Sequence, residues 1–450
     1  MQSLSYFFLK GSARSIKAKI NIVASIFLKG ASVGITLLLV PLTLSYLNPT
    51  KYGIWLTLSS LIGWFGYFDI GLGNGLRNKF AQALAKNDSE LARKYVSTTY
   101  ALLIMIVSTL YVLFLFLNPF IDWSVLLNTD YSMKNELSRL ALIVSSFFAL
   151  RFVCQLVNVV LVADQKPSLS YSLSILSNLF SLIVIYLLVK YTAGSLLYLG
   201  FAASSIPVIV LLTASAYFFF NTYKKVRPSI KYVDFSDVNE LAGLGVQFFI
   251  IQISIVIVYS TDNIIISQLF GPEEVTSYNI AFKYFSLISM VFGIVLAPFW
   301  SAYTEAYLKN DLLWIKRSVN GLIRLWLLFS IVTFFMIVFS NYFYSLWVGD
   351  SVKVPFLLSI MMGVFVVISM WTKIFSNFSS GVGKLRLQFY EAIIIGVINI
   401  PLSIFLAKQL NIGPAGVMLS TILCLLGGAI WTPIQYHKLI KGKATGIWAK

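Results

Sequence analysis

The chain has 450 residues, of which 58% are hydrophobic and 11% are charged, and its mean hydropathy is +0.84. A soluble domain keeps about a quarter of its residues charged, so this composition excludes a water-soluble globule and predicts a multi-span membrane protein. The net charge of +17 fits basic cytoplasmic loops better than a surface that binds nucleic acid, and no nucleic-acid partner is expected.

Twelve apolar runs are long enough to cross a bilayer as helices. In chain order they lie near 20–47, 54–76, 96–120, 137–162, 169–189, 196–220, 241–269, 277–300, 318–343, 354–375, 387–407 and 415–435. If both termini are cytoplasmic, most Lys and Arg of the short loops also fall in the cytoplasm, as the positive-inside rule requires. We therefore predict an all-α integral membrane protein with both termini in the cytoplasm.

An internal repeat relates the two halves of the chain. The two matching segments are FAQALAKNDSELARK, residues 80–94, and YTEAYLKNDLLWIKR, residues 303–317. The triplet Lys-Asn-Asp at 86–88 recurs at 309–311, and the same offset (309 − 86 = 223) places Pro49 on Pro272. We interpret each segment as an amphipathic helix lying on the membrane.

The repeat predicts two six-helix bundles related by a parallel repeat, since the matching segments follow the second and the eighth predicted spans. The predicted domains are 1–220 and 241–450, and the basic segment 221–240 is the predicted cytoplasmic linker. Transporters with such repeats bind their substrate where the two repeats meet.

Polar residues at helical spacing form stripes on several predicted spans. They are Asn21, Ser25, Lys29, Ser32, Thr36 and Thr43 on the first, Arg151, Gln155 and Asn158 on the fourth, Gln252, Tyr259, Asn263 and Ser267 on the seventh, and Asn279, Lys283 and Ser286 on the eighth. A charge at the middle of a membrane costs on the order of 2.5–3.5 kcal/mol, so Lys29, Arg151 and Lys283 are expected to face water, a partner or a ligand. The stripes predict a polar cavity between the halves.

The sign of the embedded charges indicates the kind of substrate. The cations Lys29, Arg151 and Lys283 outnumber the acids Asp69 and Asp262. A surplus of cations suits an anion, and Arg and Lys are common phosphate partners. The alternative is that these residues form buried structural ion pairs.

The stretch FDIGLGNGLRNK, residues 68–79, combines an acid, three glycines and two basic residues. We interpret the glycines, which have no side chain, as allowing a neighbouring helix to pack close to the end of the second span. Asp69 is predicted to pair with a cavity cation such as Lys29, and Arg77 to meet an anionic headgroup at the cytoplasmic surface. Simple anchoring of Arg77 by the positive-inside rule is the alternative.

Motifs for cofactor and metal chemistry are absent from the sequence. GLGNGL lacks the GxGxxG spacing, and GVGKLR at 381–386 lacks the first glycine and the Ser/Thr of a P-loop. The chain has two cysteines, one histidine and no HExxH. We predict no cofactor, no metal site and no enzymatic activity, with the energy for transport coming from an ion gradient, the membrane potential or the gradient of the substrate.

Residues 49–88 resemble the second span and following loop of polysaccharide flippases, which belong to the multidrug/oligosaccharidyl-lipid/polysaccharide (MOP) exporter superfamily. The basic start of the chain, the stretch GPEEVTSYNIAFKYF and the two-half organisation carry the same resemblance. It implies a bacterial inner-membrane flippase that moves undecaprenyl-diphosphate-linked oligosaccharide from the cytoplasmic to the periplasmic leaflet by alternating access. The substrate-binding residues would be Lys29, Asp69, Arg151, Asp262, Lys283 and Arg77.

The sequence leaves several partners and two other functions open. The partners are a coupling ion, either H⁺ or Na⁺, a polysaccharide polymerase and a chain-length regulator. One alternative function is drug–cation antiport by a member of the same superfamily, which the surplus of cations disfavours. The other is a membrane polysaccharide polymerase, which the short external loop near 121–136 disfavours.

Overall fold

The computed structural model describes residues 13–64, 72–164, 166–237, 261–296 and 299–449, and this part of the chain is helical, without strands. Ten of its helices are long and apolar enough to cross a membrane. The predicted all-α membrane fold is confirmed. The predicted spans at 54–76 and 241–269 are not among the ten, and both include residues outside the described ranges.

The helices are numbered here in chain order. In the N-terminal part they are α1 (Ala13–Leu47), α2 (Pro49–Gly63), α3 (Leu72–Ala85), α4 (Ser89–Leu117), α5 (Lys134–Cys154), α6 (Leu156–Ala163), α7 (Pro167–Tyr191) and α8 (Leu196–Phe220). In the C-terminal part they are α9 (261–270), α10 (Pro272–Leu296), α11 (Phe299–Leu308), α12 (Leu312–Val338), α13 (Ser340–Val348), α14 (Phe356–Gly381), α15 (Arg386–Ile404) and α16 (Pro414–Ile440).

The chain forms two compact units. The first comprises the described parts of 1–48, 61–125 and 130–249, and the second comprises 49–60, 126–129 and the described part of 250–450. Most of α2 therefore belongs to the second unit, although it lies in the N-terminal part of the sequence. The predicted domain boundaries at 220 and 241 stay a prediction.

In the first unit, α1 packs along α7, and α5 packs against α8. The short helix α3 packs on α4 and α6, and its buried Leu72, Leu76 and Phe80 enter the hydrophobic core of the unit. Part of the polar stripe on α1 takes part in this packing, because Asn178 Nδ2 on α7 donates to Ser32 Oγ at 2.9 Å.

In the second unit, α14 contacts α10, α11, α12 and α16, and it is among the most buried helices. Its buried Met362, Phe375 and Phe378 form part of the core of the unit. By contrast, α12 exposes a row of large apolar side chains, including Phe334 at 61% exposure, which is what a lipid-facing helix requires.

The repeat seen in the sequence has the same local geometry in both copies, but it is not one helix in either. Asn87 and Asn310 adopt left-handed φ angles of 56° and 58°, which end α3 and α11. The next residues cap the following helices: Asp88 accepts from the Leu91 amide at 2.9 Å, and Asp311 accepts from the Trp314 amide at 3.0 Å.

The prediction of a continuous amphipathic helix over 80–94 and over 303–317 is therefore wrong. Asparagine tolerates the left-handed region, and aspartate favours the N-cap position, so the Lys-Asn-Asp triplet separates two helices. The repeat extends to the starts of α2 and α10, where Asn48 and Gly271 also have positive φ, of 84° and 96°.

Outside the spans, two loops are fixed by ion pairs. Lys94 at the start of α4 contacts Asp234 of the segment 221–237 at 2.7 Å. In the loop that precedes α5, Lys134 contacts Asp122 at 3.0 Å. A hydrogen bond from Ser124 and this ion pair lower the pKa of Asp122 to about 2, so the carboxylate stays ionised at neutral pH.

Candidate functional site

The predicted substrate residue Lys283 lies on α10 and is half-buried in the second unit. Its Nζ donates to the hydroxyl of Tyr52 at 2.8 Å and lies 5.4 Å from the centroid of the Tyr52 ring. Among the described residues, no carboxylate lies within ion-pairing distance of Lys283. A neutral phenol holds the ammonium in place without cancelling its charge, so Lys283 can still bind an anion.

Tyr52 reaches Lys283 because α2 and α10 approach unusually closely. A Cβ on Gly53 would lie 1.7 Å from the carbonyl oxygen of Pro272, so only glycine fits there. Thr276 also donates to the carbonyl of Pro49 at 2.6 Å. Tyr52 was not among the predicted site residues, although its position three residues after the repeat-marking Pro49 was a usable signal.

Asp262 also contacts a tyrosine, but it is buried. Its side chain is 3% exposed, and Tyr278 donates to its Oδ2 at 2.5 Å. One residue further along both helices, Asn279 donates to Asn263 Oδ1 at 2.8 Å. The two pairs join α9 to α10 through adjacent polar contacts. Asp262 and Lys283 are thus held by different tyrosines, and the structure shows no ion pair between them.

A cavity that the sequence analysis missed lies beside Lys373 on α14. It has a volume of about 250 Å³ and is lined by Gly293, Leu296, Trp300, Lys373, Ser376, Asn377 and Ser380. No ion pair of Lys373 is found in the described part of the chain. The residues at 373, 376, 377 and 380 share one helix face, a spacing that could have revealed this site from the sequence.

The other predicted substrate residues belong to the first unit. Arg151 lies in the last turn of α5 with an exposed side chain, and no ion-pair partner of it appears among the described residues. Arg77 is exposed on α3. Lys29 lies on α1, but its side chain is outside the described part, and Asp69 falls in 65–71, also outside it. The predicted contact between Lys29 and Asp69 stays a prediction.

The second unit contains side chains that could bind an anion and one carboxylate that could bind a cation. Lys283 and Lys373 supply positive charge from α10 and α14, and phosphate is a common partner of such groups. Asp262 supplies one buried carboxylate, set among neutral oxygen atoms. Groups of three or more metal-ligating side chains are not found in the described residues.

A family model described as polysaccharide biosynthesis protein matches residues 19–301. A putative O-antigen export protein of Yersinia pseudotuberculosis is 24% identical over 413 residues, which cover 89% of this chain and 91% of the relative. A putative O-antigen transporter of Salmonella typhi is 24% identical over 379 residues, covering 81% of this chain and 84% of the relative.

Solved structures with a similar fold are multidrug resistance MATE family transporters of the MOP superfamily. An inward-facing one has a TM-score of 0.75 at 16% identity and covers 95% of this chain and 100% of its own. An outward-facing one has a TM-score of 0.66 at 17% identity and covers 97% of this chain and 98% of its own. At this identity the likeness shows the fold alone.

Proposed function

The chain belongs to the polysaccharide biosynthesis protein family, and on that premise we propose that it carries a lipid-linked oligosaccharide across a bacterial membrane. The resemblance to polysaccharide flippases of the MOP superfamily is confirmed. The substrate of our proposal is a short oligosaccharide on undecaprenyl diphosphate, which moves from the cytoplasmic to the periplasmic leaflet of the inner membrane. The Yersinia relative is named a putative O-antigen export protein and the Salmonella relative a putative O-antigen transporter, which supports a saccharide substrate.

The observation that carries the proposal is the contact between Lys283 and Tyr52. An ammonium group on a membrane-spanning helix is costly unless a partner or a ligand compensates it. Here the partner is a phenol at 2.8 Å, and the described residues offer no carboxylate in ion-pairing range. The full charge of Lys283 thus remains available to a diphosphate.

Further cations extend the proposed headgroup site. Lys373 borders the cavity of about 250 Å³, and Arg151 is exposed on the first unit without a described ion pair. The guanidinium of arginine suits bidentate contact with phosphate, whereas lysine acts as a point charge. In the proposal these groups and Lys29 hold the charged headgroup, and the polyprenyl tail stays in the lipid.

The proposed mechanism is alternating access, in which the headgroup site opens first to the cytoplasm and then to the opposite side. The protein acts as a transporter and not as an enzyme, with an ion gradient, the membrane potential or the substrate gradient as the energy source. Lys283 and Lys373, which have no ion-pair partner among the described residues, favour an anionic substrate over the cationic drugs of an antiporter. The short loop near 121–136 disfavours a polymerase.

The test is a lysine-to-glutamine substitution in proteoliposomes that contain lipid-linked oligosaccharide, with the appearance of the headgroup at the opposite surface as the readout. Lys283→Gln should slow translocation roughly tenfold to a hundredfold, since a hydrogen bond to a charged group contributes about 1.5–3 kcal/mol. Lys283→Arg should retain a substantial part of the rate, because the charge remains.

The control is Lys190→Gln, which removes an exposed lysine at the end of α7, far along the chain from the proposed site. It should translocate at the rate of the unmodified protein. Full-rate translocation by well-inserted Lys283→Gln would contradict the headgroup assignment, and loss of translocation in both variants would show a general effect of surface charge.

A further inference from the structure

The segment 221–237, here called the linker, is folded onto the first unit and has a fixed inner face. Its Tyr223 and Val226 are buried in the hydrophobic core of that unit. The amide of Ser229 donates to Ser97 Oγ on α4 at 3.1 Å. The linker therefore holds a defined orientation on α4, with one face turned inward and the other turned outward.

The outer face of the linker is basic. Lys224, Lys225, Arg227 and Lys231 are exposed, and ion pairs of these four side chains are not found among the described residues. The carboxylate of Asp234, also in the linker, is already paired with a lysine of α4. The outer face thus carries a cluster of positive charge that the described part of the chain leaves without a counter-charge.

The end of α8 shows how the linker lies relative to the bilayer. Tyr217 and Phe220 are 62% and 63% exposed at the end of this helix, which is long and apolar enough to cross a membrane. Exposed aromatic rings are typical of the level at which a span leaves the hydrocarbon. The guanidinium carbon of Arg227 lies 5.1 Å from the centroid of the Phe220 ring. Arg227 therefore stands at the level of the lipid headgroups.

Apolar side chains accompany the cations on the outer face. Ile230 is 92% exposed, more than any other large apolar side chain among the described residues, and it directly precedes Lys231. Phe235 is 53% exposed. Apolar residues set among lysines and arginines are the composition of segments that lie in the membrane interface, where the apolar groups enter the lipid and the cations meet phosphate.

We propose that the outer face of the linker binds anionic phospholipids, of which phosphatidylglycerol is the probe chosen here. The contact of Arg227 with Phe220 places the cations where phospholipid phosphates are concentrated. A water-soluble polyanion would match the charge but not the exposed Ile230 and Phe235. With the predicted topology, the lipids belong to the cytoplasmic leaflet. The inference does not depend on the transported substrate.

The first experiment measures phospholipids bound to the purified full-length protein by mass spectrometry of the intact protein released from micelles. Phosphatidylglycerol and phosphatidylcholine are added at equal concentration, and we expect phosphatidylglycerol to be retained preferentially. The variant Lys224→Gln/Lys225→Gln/Lys231→Gln should bind phosphatidylglycerol roughly tenfold to hundredfold more weakly, since each lysine near an anionic surface contributes about fivefold. The corresponding Lys→Arg variant should bind it as the unmodified protein does, because the charges remain.

The matched control is Lys190→Gln/Lys353→Gln/Lys408→Gln. It removes three exposed lysines that the predicted topology places on the opposite side of the membrane, and so has the same net charge as the linker variant. It should retain the preference for phosphatidylglycerol. Higher salt should weaken binding to the unmodified protein, because exposed charges are screened.

The second experiment measures lipid contact at the linker itself. Ile230→Cys, in a background without Cys154 and Cys424, carries a fluorophore in proteoliposomes. Brominated phosphatidylglycerol should quench this fluorophore more strongly than brominated phosphatidylcholine at equal mole fraction. A fluorophore at Asp350→Cys, in an exposed turn of the second unit, should not distinguish the two lipids.

Four outcomes would overturn the inference. They are equal binding of the two phospholipids, undiminished phosphatidylglycerol binding by the linker Lys→Gln variant, an equal loss in the control variant, and equal quenching by the two brominated lipids at 230. Tighter binding of undecaprenyl phosphate than of phosphatidylglycerol by the same lysines would also overturn it, because the surface would then serve the substrate. Lipid binding is measured without oligosaccharide or transport, so its failure leaves the proposed function standing.

Discussion

Lys283 and Asp262 are opposite charges in one unit, yet each is held by a tyrosine, Tyr52 and Tyr278 respectively. A phenol gives either charge a hydrogen bond without neutralising it. Neither residue has an ion-pair partner among the described residues. The two side chains are thus held by separate hydrogen bonds within the same unit.

At the residue scale, the contact that positions Tyr52 depends on Gly53. We predict that Gly53→Ala lowers the thermal unfolding midpoint and the abundance of the protein, because the new Cβ would lie 1.7 Å from the Pro272 oxygen. Overpacking of this kind costs typically ~1–3 kcal/mol. The measurement is thermal unfolding in detergent together with membrane abundance.

Gly63→Ala is the control for this prediction. Gly63 lies on the same helix, and a Cβ there would meet no atom of the described residues within 4 Å. Alanine favours helix over glycine, so this variant should be unchanged or slightly more stable. Equal midpoints for the two variants would show that α2 and α10 do not need their close approach.

At the scale of elements, the Lys-Asn-Asp triplets end one helix and begin the next in both copies of the repeat. The left-handed asparagine and the capping aspartate occur at 87–88 and again at 310–311. An amphipathic pattern can continue through such a turn, which is why the sequence pattern suggested one helix. The short polar side chains of asparagine and aspartate compete with helical hydrogen bonds, and they separate the two helices instead.

We predict that Asp88→Ala and Asp311→Ala each destabilise the start of the following helix. Loss of an N-cap costs about 0.5–2 kcal/mol, and the exposed first turns of α4 and α12 should fray. Amide hydrogen exchange at residues 89–92 and 312–315 is the measurement, with faster exchange expected in the matching variant only.

Asp88→Asn and Asp311→Asn are the controls, since asparagine caps helices about as well as aspartate. They should exchange nearly as slowly as the unmodified protein. If alanine and asparagine variants exchange alike at either site, the capping contact does not stabilise that helix start.

At the scale of the whole molecule, the property to be measured is the orientation of the chain in the membrane. The excess of Lys and Arg in alternate loops predicts cytoplasmic termini. The helices themselves are equally apolar in either direction, so their packing alone does not select one. Charge placement along the sequence carries this information.

We predict that a cysteine placed at 130, in a background without Cys154 and Cys424, reacts with an impermeant maleimide added outside spheroplasts. A cysteine at 443, after α16, should react only once the membrane is opened. Labelling of 443 from outside, or protection of 130, would reverse the predicted topology. Measured protein abundance serves to exclude misinsertion.

Much of the fold could be predicted from the sequence because membrane insertion selects composition directly. Ten of the twelve predicted spans coincide with helices that are long and apolar enough to cross a membrane. The bilayer demands about 20 apolar residues in a helix that satisfies its own backbone, so hydropathy along the chain reveals the spans. The repeat was visible because turns and caps use particular residues at fixed offsets.

The candidate site was less predictable, because side-chain contacts depend on which helices meet. Lys283 was identified by the cost of its charge, but nothing in its surroundings in the sequence indicated Tyr52, 231 residues earlier. The cavity beside Lys373 forms only where α10, α11 and α14 pack together.

The sequence by itself determined that this is a helical membrane protein with an internal repeat, because composition, periodicity and turn residues are local properties of the chain. The resemblance of residues 49–88 to polysaccharide flippases was also visible in the sequence. Only the tertiary structure decided which polar groups meet, such as the Tyr52 phenol that holds Lys283. Such contacts join helices that are distant in the chain, so their partners are fixed by packing and not by spacing.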